Sequence, residues 1–155
     1  MKQRILGSLR NATLALGAAS LLAAPSNATW SICIVNVKTG EVCVATATCL
    51  PGINIQGAVP VLVVGRGVGA AQASVPSPDF NKPMMFDGFH AGTSPQDILD
   101  AIEQTDFAFQ SRQFGIVDMS TGPVTFTGAS AAQGKNGITG VAGPYRYSVQ
   151  GNSLT

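Results

Sequence analysis

Two stretches near the start of the chain carry the clearest pattern. "TWSICIVNV" (29–37) alternates small or polar with large apolar side chains, and "EVCVATATC" (41–49) is similarly rich in β-branched residues. Both read as strands, and Lys38-Thr39-Gly40 supplies the turn of a β-hairpin, with glycine where positive φ is tolerated. A three-residue loop pairs Val37 with Glu41, hence Thr29 with Cys49, Ser31 with Ala47 and Val35 with Cys43. That register sets Thr29, Ser31, Cys33, Cys43 and Cys49 on one face.

Beyond a loop at Pro51-Gly52, "AVPVLVVGRGVGAAQAS" (58–74) is strand-like but rich in glycine. "VPSPDFNKP" (75–83) reads as a loop leading to a helical portion. There Ser94 stands as N-cap, Pro95 at the first helical position, and Ile98, Leu99 and Ile102 as an apolar stripe, so Thr93–Asp106 is the clearest helix. "RQFGIVDMSTGPVTFTGA" (112–129) predicts strand, turn, strand. "SAAQGKNGITGVAGPYR" (130–146) reads as a glycine-rich loop before a final run, "YSVQGNSLT" (147–155). Strands outweigh helices, which gives an α+β fold class. Each apolar sheet face needs a covering layer, and one good helix covers little. The expectation is one domain over residues 29–155, truncated at its C-terminus and lacking further helices.

The first 28 residues follow a different pattern. Lys2, Arg4 and Arg10 precede an apolar run, Ala12–Ala24, then Pro25 and the small triplet Ser26-Asn27-Ala28. A basic start, an apolar stretch of this length and small residues before the cut describe a secretory signal peptide. The run is shorter than the roughly 18–20 apolar residues of a membrane span. Cleavage after Ala28 leaves 127 of the 155 residues, with Thr29 first. The expected location is therefore exported, periplasmic or extracellular, with no membrane attachment after cleavage.

Without the leader, Lys38, Arg66, Lys82, Arg112, Lys135 and Arg146 face eight acidic residues, a net charge of −2. No basic patch remains to favour nucleic acid. Cys33, Cys43 and Cys49 would enter an oxidising compartment. Their odd number leaves at least one outside an internal bridge. A Cys33–Cys43 bridge and three small buried side chains both stay open. No Cys-x-x-Cys spacing exists and His90 is the single histidine, so neither a metal site nor another cofactor is expected.

Several motifs invite chemistry and fail on context. Gly65-Arg66-Gly67-Val68-Gly69-Ala70 satisfies G-x-G-x-x-A, but Pro76 and Pro78 interrupt any following helix, so close backbone approach explains these glycines better. His90 lacks a nucleophile elbow and reads as a surface residue near a helix end. Asp97, Asp100, Glu103 and Asp106 read as the solvated face of the helix.

Thr29 is different. A threonine hydroxyl needs a base to become a nucleophile. A free α-amine, with a pKa of about 7.7–8.0, can be that base on the same residue once the leader is gone.

"TWSICIVNVKTGEVCVATATC", "GVGAAQA", "RQFGIVD" and "YSVQGNSL" resemble, in order, segments of DUF1028, a bacterial family of unknown function. The resemblance spans essentially all of 29–155 and implies the N-terminal-nucleophile (Ntn) hydrolase fold, a four-layer α-β-β-α sandwich. Members commonly continue past Gln-Gly-Asn into further helices. The resemblance to Ntn enzymes implies Thr29 as nucleophile towards an amide or peptide-like bond of a small-molecule or peptide substrate. It offers no tuning lysine: Lys38 lies in the hairpin turn, far from Thr29. Gln150 and Asn152 carry amides suited to an oxyanion hole or substrate anchor, although Gln150-Gly151-Asn152 also suits a self-satisfied turn, the reading favoured here. Ser31, on the face of Thr29, is placed either to orient the amine or to fill the sheet surface. A catalytically silent binding or structural module of the same fold is the competing reading.

Overall fold

The computed structural model describes residues 28–75 and 79–154. The signal peptide expected over residues 1–28 lies outside these except for Ala28. Alternation in the first segments gives β1 (Thr29–Asn36) and β2 (Glu41–Thr48). A short helix α1 (Ile55–Ala58) then leads to the hairpin β3 (Pro60–Val63) and β4 (Gly67–Gln72). Two helices follow, α2 (Asn81–Ala91) and α3 (Pro95–Thr105), and then β5 (Gln113–Asp118), β6 (Val124–Thr127), β7 (Asn136–Ala142) and β8 (Tyr145–Asn152). The strands form two antiparallel four-stranded sheets. Sheet A has the order β2-β1-β8-β7 and sheet B the order β3-β4-β5-β6.

The sheets lie face to face, with β1 over β4 and β5, and β8 over β5. The other face of sheet B is covered by α2 and α3. Met85 and Phe89 of α2 and Ile98, Leu99 and Ile102 of α3 join Val61, Val63, Ala71, Phe114 and Ile116 in one apolar core. Gly67 and Gly69 admit α2 to the sheet: a Cβ would lie 2.5 Å from Phe89 Cδ1 at the first and 2.7 Å from Met85 Sδ at the second. Close approach, and not a phosphate, is what these glycines serve. The outward face of sheet A carries Trp30, Ile32, Ile34, Ile138 and Val149, all partly or well exposed.

The hairpin register differs from the expected one. Asn36 pairs with Glu41, Thr29 with Thr48 and Ser31 with Thr46, a shift of one residue. The cause lies in Asn36, whose side chain accepts from Lys38 N–H (3.1 Å) while its carbonyl accepts from Gly40 N–H (2.9 Å), with Gly40 at φ 78°. This local bonding closes a four-residue loop over Val37–Gly40. A one-residue slip moves every partner to the other face. Thr29, Ser31 and Cys33 point into the sandwich, while Cys43 and Cys49 are exposed. No Cys33–Cys43 bridge forms, and of the three thiols only that of Cys33 is buried.

Two further segments differ from expectation. The glycine-rich stretch after residue 130 contains the whole of β7, whose two glycines, Gly137 and Gly140, leave its ladder intact beside β8. Asn81-Lys82-Pro83, expected in a loop, begins α2, with proline tolerated in a first helical turn. The helix from Pro95 forms as predicted, Ser94 Oγ accepting from Asp97 N–H at 3.2 Å. His90 is exposed in the last turn of α2, its ring against Phe86.

Asp106 is not part of a solvated face. It caps α3 and is buried, with its carboxylate bonded to Arg112 Nη2 (3.0 Å) and Nε, to Asn81 Nδ2 (2.8 Å) and to Ala108 N–H (2.9 Å). Burial pushes its pKa up, but the bonds from Arg112, Asn81 and Ala108 together outweigh burial and hold it below the ordinary carboxylate value. A depressed folded pKa contributes stability that is full above the unfolded value, near about 3.9, and lost as pH falls through the folded one. Asp106→Asn should therefore flatten the acid limb of stability against pH, read by urea midpoints between about pH 2 and 6. A thiol reagent should modify Cys43 in the native protein and reach Cys33 only after unfolding, as counted by mass spectrometry.

Candidate functional site

The layer between the sheets is divided along its length. At the turn end of β1 it is apolar, with Cys33, Val35, Val68, Ala70 and Val117. At the Thr29 end it is polar: Thr29, Ser31, Gln72, Gln113, Ser148, Gln150 and Asn152 are all buried. Strand alternation places every one of them inward, and buried polar groups of this kind must find partners.

Gln72 and Gln113 form a cross-strand pair on the central strands of sheet B. Gln72 Nε2 donates to Gln113 Oε1 (3.0 Å) and reaches across to the carbonyls of Thr29 and Gln150, both at 3.3 Å. Its Oε1 accepts from Ser31 Oγ, which lies 3.0 Å from Thr46 Oγ1. Gln113 Nε2 donates to Gly151 O (2.9 Å), Thr127 Oγ1 (3.0 Å) and Asn136 O (3.3 Å), and its Oε1 accepts from Asn152 Nδ2 (2.9 Å). Two amides of sheet B thus hold backbone carbonyls of β1, β8 and β7.

Thr29 is the first residue of β1, between β2 and β8, and opposite Thr48 and Asn152. It is 8% exposed, and its Oγ1 shares a hydrogen bond of 2.9 Å with Thr48 Oγ1. The ladder continues past it, since the Ala28 carbonyl accepts from Cys49 N–H at 3.1 Å. Ser31 comes together with Thr29 on the same inward face. Gln150 and Asn152 come there too, but as strand residues of β8 and not as the favoured turn, because both pair with β1. Asn152 gives its amide to Gln113. Gln150 lies deeper: its Oε1 accepts from Ser148 Oγ (3.1 Å) and its buried Nε2 has no partner. A Cβ at residue 115 would lie 2.7 Å from Gln150 Cδ, so only glycine leaves that side chain its space. Beside it the Cys33 thiol has its pKa pushed up to about 12 by burial, which the neighbouring polar side chains of Gln150 and Ser148 offset only in part. It is an inert thiol.

Gln72 and Gln113 were not among the residues expected at the site. The available signal was their place at the inward phase of two apolar strands, where a glutamine must be bonded. Lys135 was missed as well. It directly precedes β7, whose Asn136 pairs with Gly151, and its ammonium donates to the carbonyls of Gly128 and Ala131 (both 2.9 Å) and of Ala129. Lys38 sits at the opposite end of β1, as expected. A separate groove lined by Pro60, Leu62, Pro83, Phe86 and Asp87 shares no residue with this site. Among the described residues no three His, Cys, Asp or Glu side chains gather as metal ligands.

Gln113 meets five partners and Gln150 one, so their apolar replacements should differ. Each buried group left unsatisfied costs about 1–3 kcal/mol. Gln113→Met should lower unfolding free energy by about 3 kcal/mol or more and Gln150→Met by about 1 kcal/mol or less, as measured by urea titration.

Comparison with curated proteins gives no match. The chain is similar in structure to protein SPO2555 from Silicibacter pomeroyi, a crystal structure assigned to DUF1028, with a TM-score of 0.70 and 24% sequence identity. That likeness covers 82% of this chain and 53% of the other, so the chain spans about half the length of that relative. At this identity it speaks for the fold alone. The family described as "Family of unknown function (DUF1028)" matches residues 29–155, from the first residue of β1 through the Gln-Gly-Asn end of β8. With both sheets and both long helices inside that match, the chain belongs to the DUF1028 family.

Proposed function

We propose that the chain is the precursor of an exported, Ntn-type hydrolase of amide or peptide-like bonds, activated when removal of residues 1–28 makes Thr29 the N-terminus. The observation that carries this reading is the position of Thr29. Its hydroxyl points into the polar end of the inter-sheet layer, and its carbonyl is held by Gln72 from the opposite sheet. In the proposed reaction the new α-amine takes the proton from Oγ1 as the oxygen attacks the substrate carbonyl. The amine then returns that proton to the leaving nitrogen, giving an acyl ester on Thr29. Water hydrolyses the ester and restores the hydroxyl. Before cleavage the same nitrogen is an amide and cannot act as a base. Asn152, directly opposite Thr29 in the sheet, carries a side-chain amide for a developing oxyanion, once released from Gln113.

One observation favours a silent binding module of the same fold. Thr29 Oγ1 is already bonded to Thr48, and Asn152 Nδ2 is already given to Gln113. An amine-terminated protein settles the matter. N-terminal sequencing of exported protein should begin at Thr29, and a β-lactone should add one acyl mass to it. The adduct should vanish in Thr29→Ala and persist in Ser31→Ala. Protein that begins at Thr29 and takes no adduct is the silent module.

A further inference from the structure

The groove beside β3 is a second feature of the molecule, independent of Thr29. β3 is an edge of sheet B, whose order is β3-β4-β5-β6. The Val59 carbonyl accepts from Ala71 N–H at 3.1 Å, and Val61 and Val63 follow in the same phase opposite Gly69 and Gly67. An antiparallel strand bonds its neighbour at alternate residues. The N–H and C=O of Leu62 and the C=O of Pro60 therefore turn away from β4, to the open edge. Edges are commonly blunted by charge. Here the exposed side chains are apolar: Leu62, 45% exposed, and Val64, 81% exposed.

Helix α2 runs alongside this edge in the same direction. Gly69, opposite Val61, lies against Met85, and Gly67, opposite Val63, lies against Phe89. Four helical residues advance about 6 Å and two strand residues about 6.8 Å, so helix and edge keep step. Between them lies a groove of about 400 Å³ lined by Pro60, Leu62, Pro83, Phe86 and Asp87. Lys82 also borders it, but its Nζ is taken by Asp79 (3.0 Å) and by the Gly57 carbonyl. Asp87 is exposed, and among the described residues no cation pairs with its carboxylate.

We infer that this groove takes an extended peptide, which adds to Leu62 as a fifth strand of the four-stranded sheet B. One apolar side chain of the peptide fills the space against Pro83 and Phe86. A lysine or arginine two residues along, and so on the same face, meets Asp87. Backbone bonding to the edge gives affinity, and the apolar and basic pair gives the choice of sequence. A second copy of this chain fits less well. β3 has four residues and Pro60 has no N–H, so the edge supports a short segment and not a continued sheet. Nor does β3 of a second copy, Pro-Val-Leu-Val, carry a cation for Asp87.

The test uses the full chain and the peptide acetyl-Thr-Leu-Thr-Lys-Thr-amide, followed by amide shifts in two-dimensional NMR. Saturable shifts should centre on residues 60–64 and 83–87. Replacing the peptide's lysine by glutamate should weaken binding by about threefold or more, the scale of an exposed ion pair. Asp87→Lys should invert that preference in a protein whose remaining amide shifts are unchanged. Methylating the peptide's amide nitrogens one at a time should abolish binding at alternate positions only, the mark of an added strand. Shifts absent at about 1 mM peptide, or methylation effects without alternation, overturn the inference. So does a lysine preference that survives Asp87→Lys. Shifts at residues 60–64 that follow protein concentration and ignore the peptide assign the edge to a second copy, and likewise overturn it.

Discussion

The Gln72–Gln113 pair is the constraint on which the polar end of the molecule depends. Two sheets can be held together by apolar contact alone, as they are around Val35, Val68 and Val117. At the other end the facing side chains are amides and hydroxyls, and their burial is tolerable only if they satisfy one another. Gln72 and Gln113 achieve this by reaching past side chains to the carbonyls of Thr29, Gln150, Gly151 and Asn136. Backbone is thereby fixed to side chain across the sandwich, and the first residue of β1 is set with it. Glutamine suits the task because one side chain offers both senses of hydrogen bond.

Much of the architecture was legible in the sequence. The first hairpin, the Ser94-Pro95 helix start and the strand-turn-strand of residues 112–129 follow from local chemistry, and all three form. The register of the hairpin was not legible, because two side-chain and backbone bonds at Asn36 lengthen its loop by one residue. Strand β7 was hidden by its glycines, whose low strand preference is overridden by pairing with β8. Asp106 shares the helical spacing of Asp97, Asp100 and Glu103, and only the fold brings Arg112 and Asn81 to it.

The same holds for the site. Thr29 was found from its place after a leader-like segment, and Ser31 from strand alternation. Gln150 and Asn152 were noticed for their amides but read as a turn, since nothing local shows that β8 lies against β1. Gln72 and Gln113 sit 41 residues apart in sequence. Their meeting depends on the order of strands in sheet B, which no short window of sequence encodes. Lys135 lies in a stretch that reads as a flexible connection until its three carbonyl partners are in place.

A β-strand is only one residue thick, and β1 serves two environments with alternate side chains. Thr29 and Ser31 face the amides, while Trp30 and Ile32 look outward from the other surface of sheet A. Any molecule or chain segment that presses on Trp30 therefore presses on the peptide units that carry Thr29 and Ser31. The outer surface of the sheet is in this sense the reverse side of the buried amide layer, and a change of pressure on one is felt as a change of aim in the other.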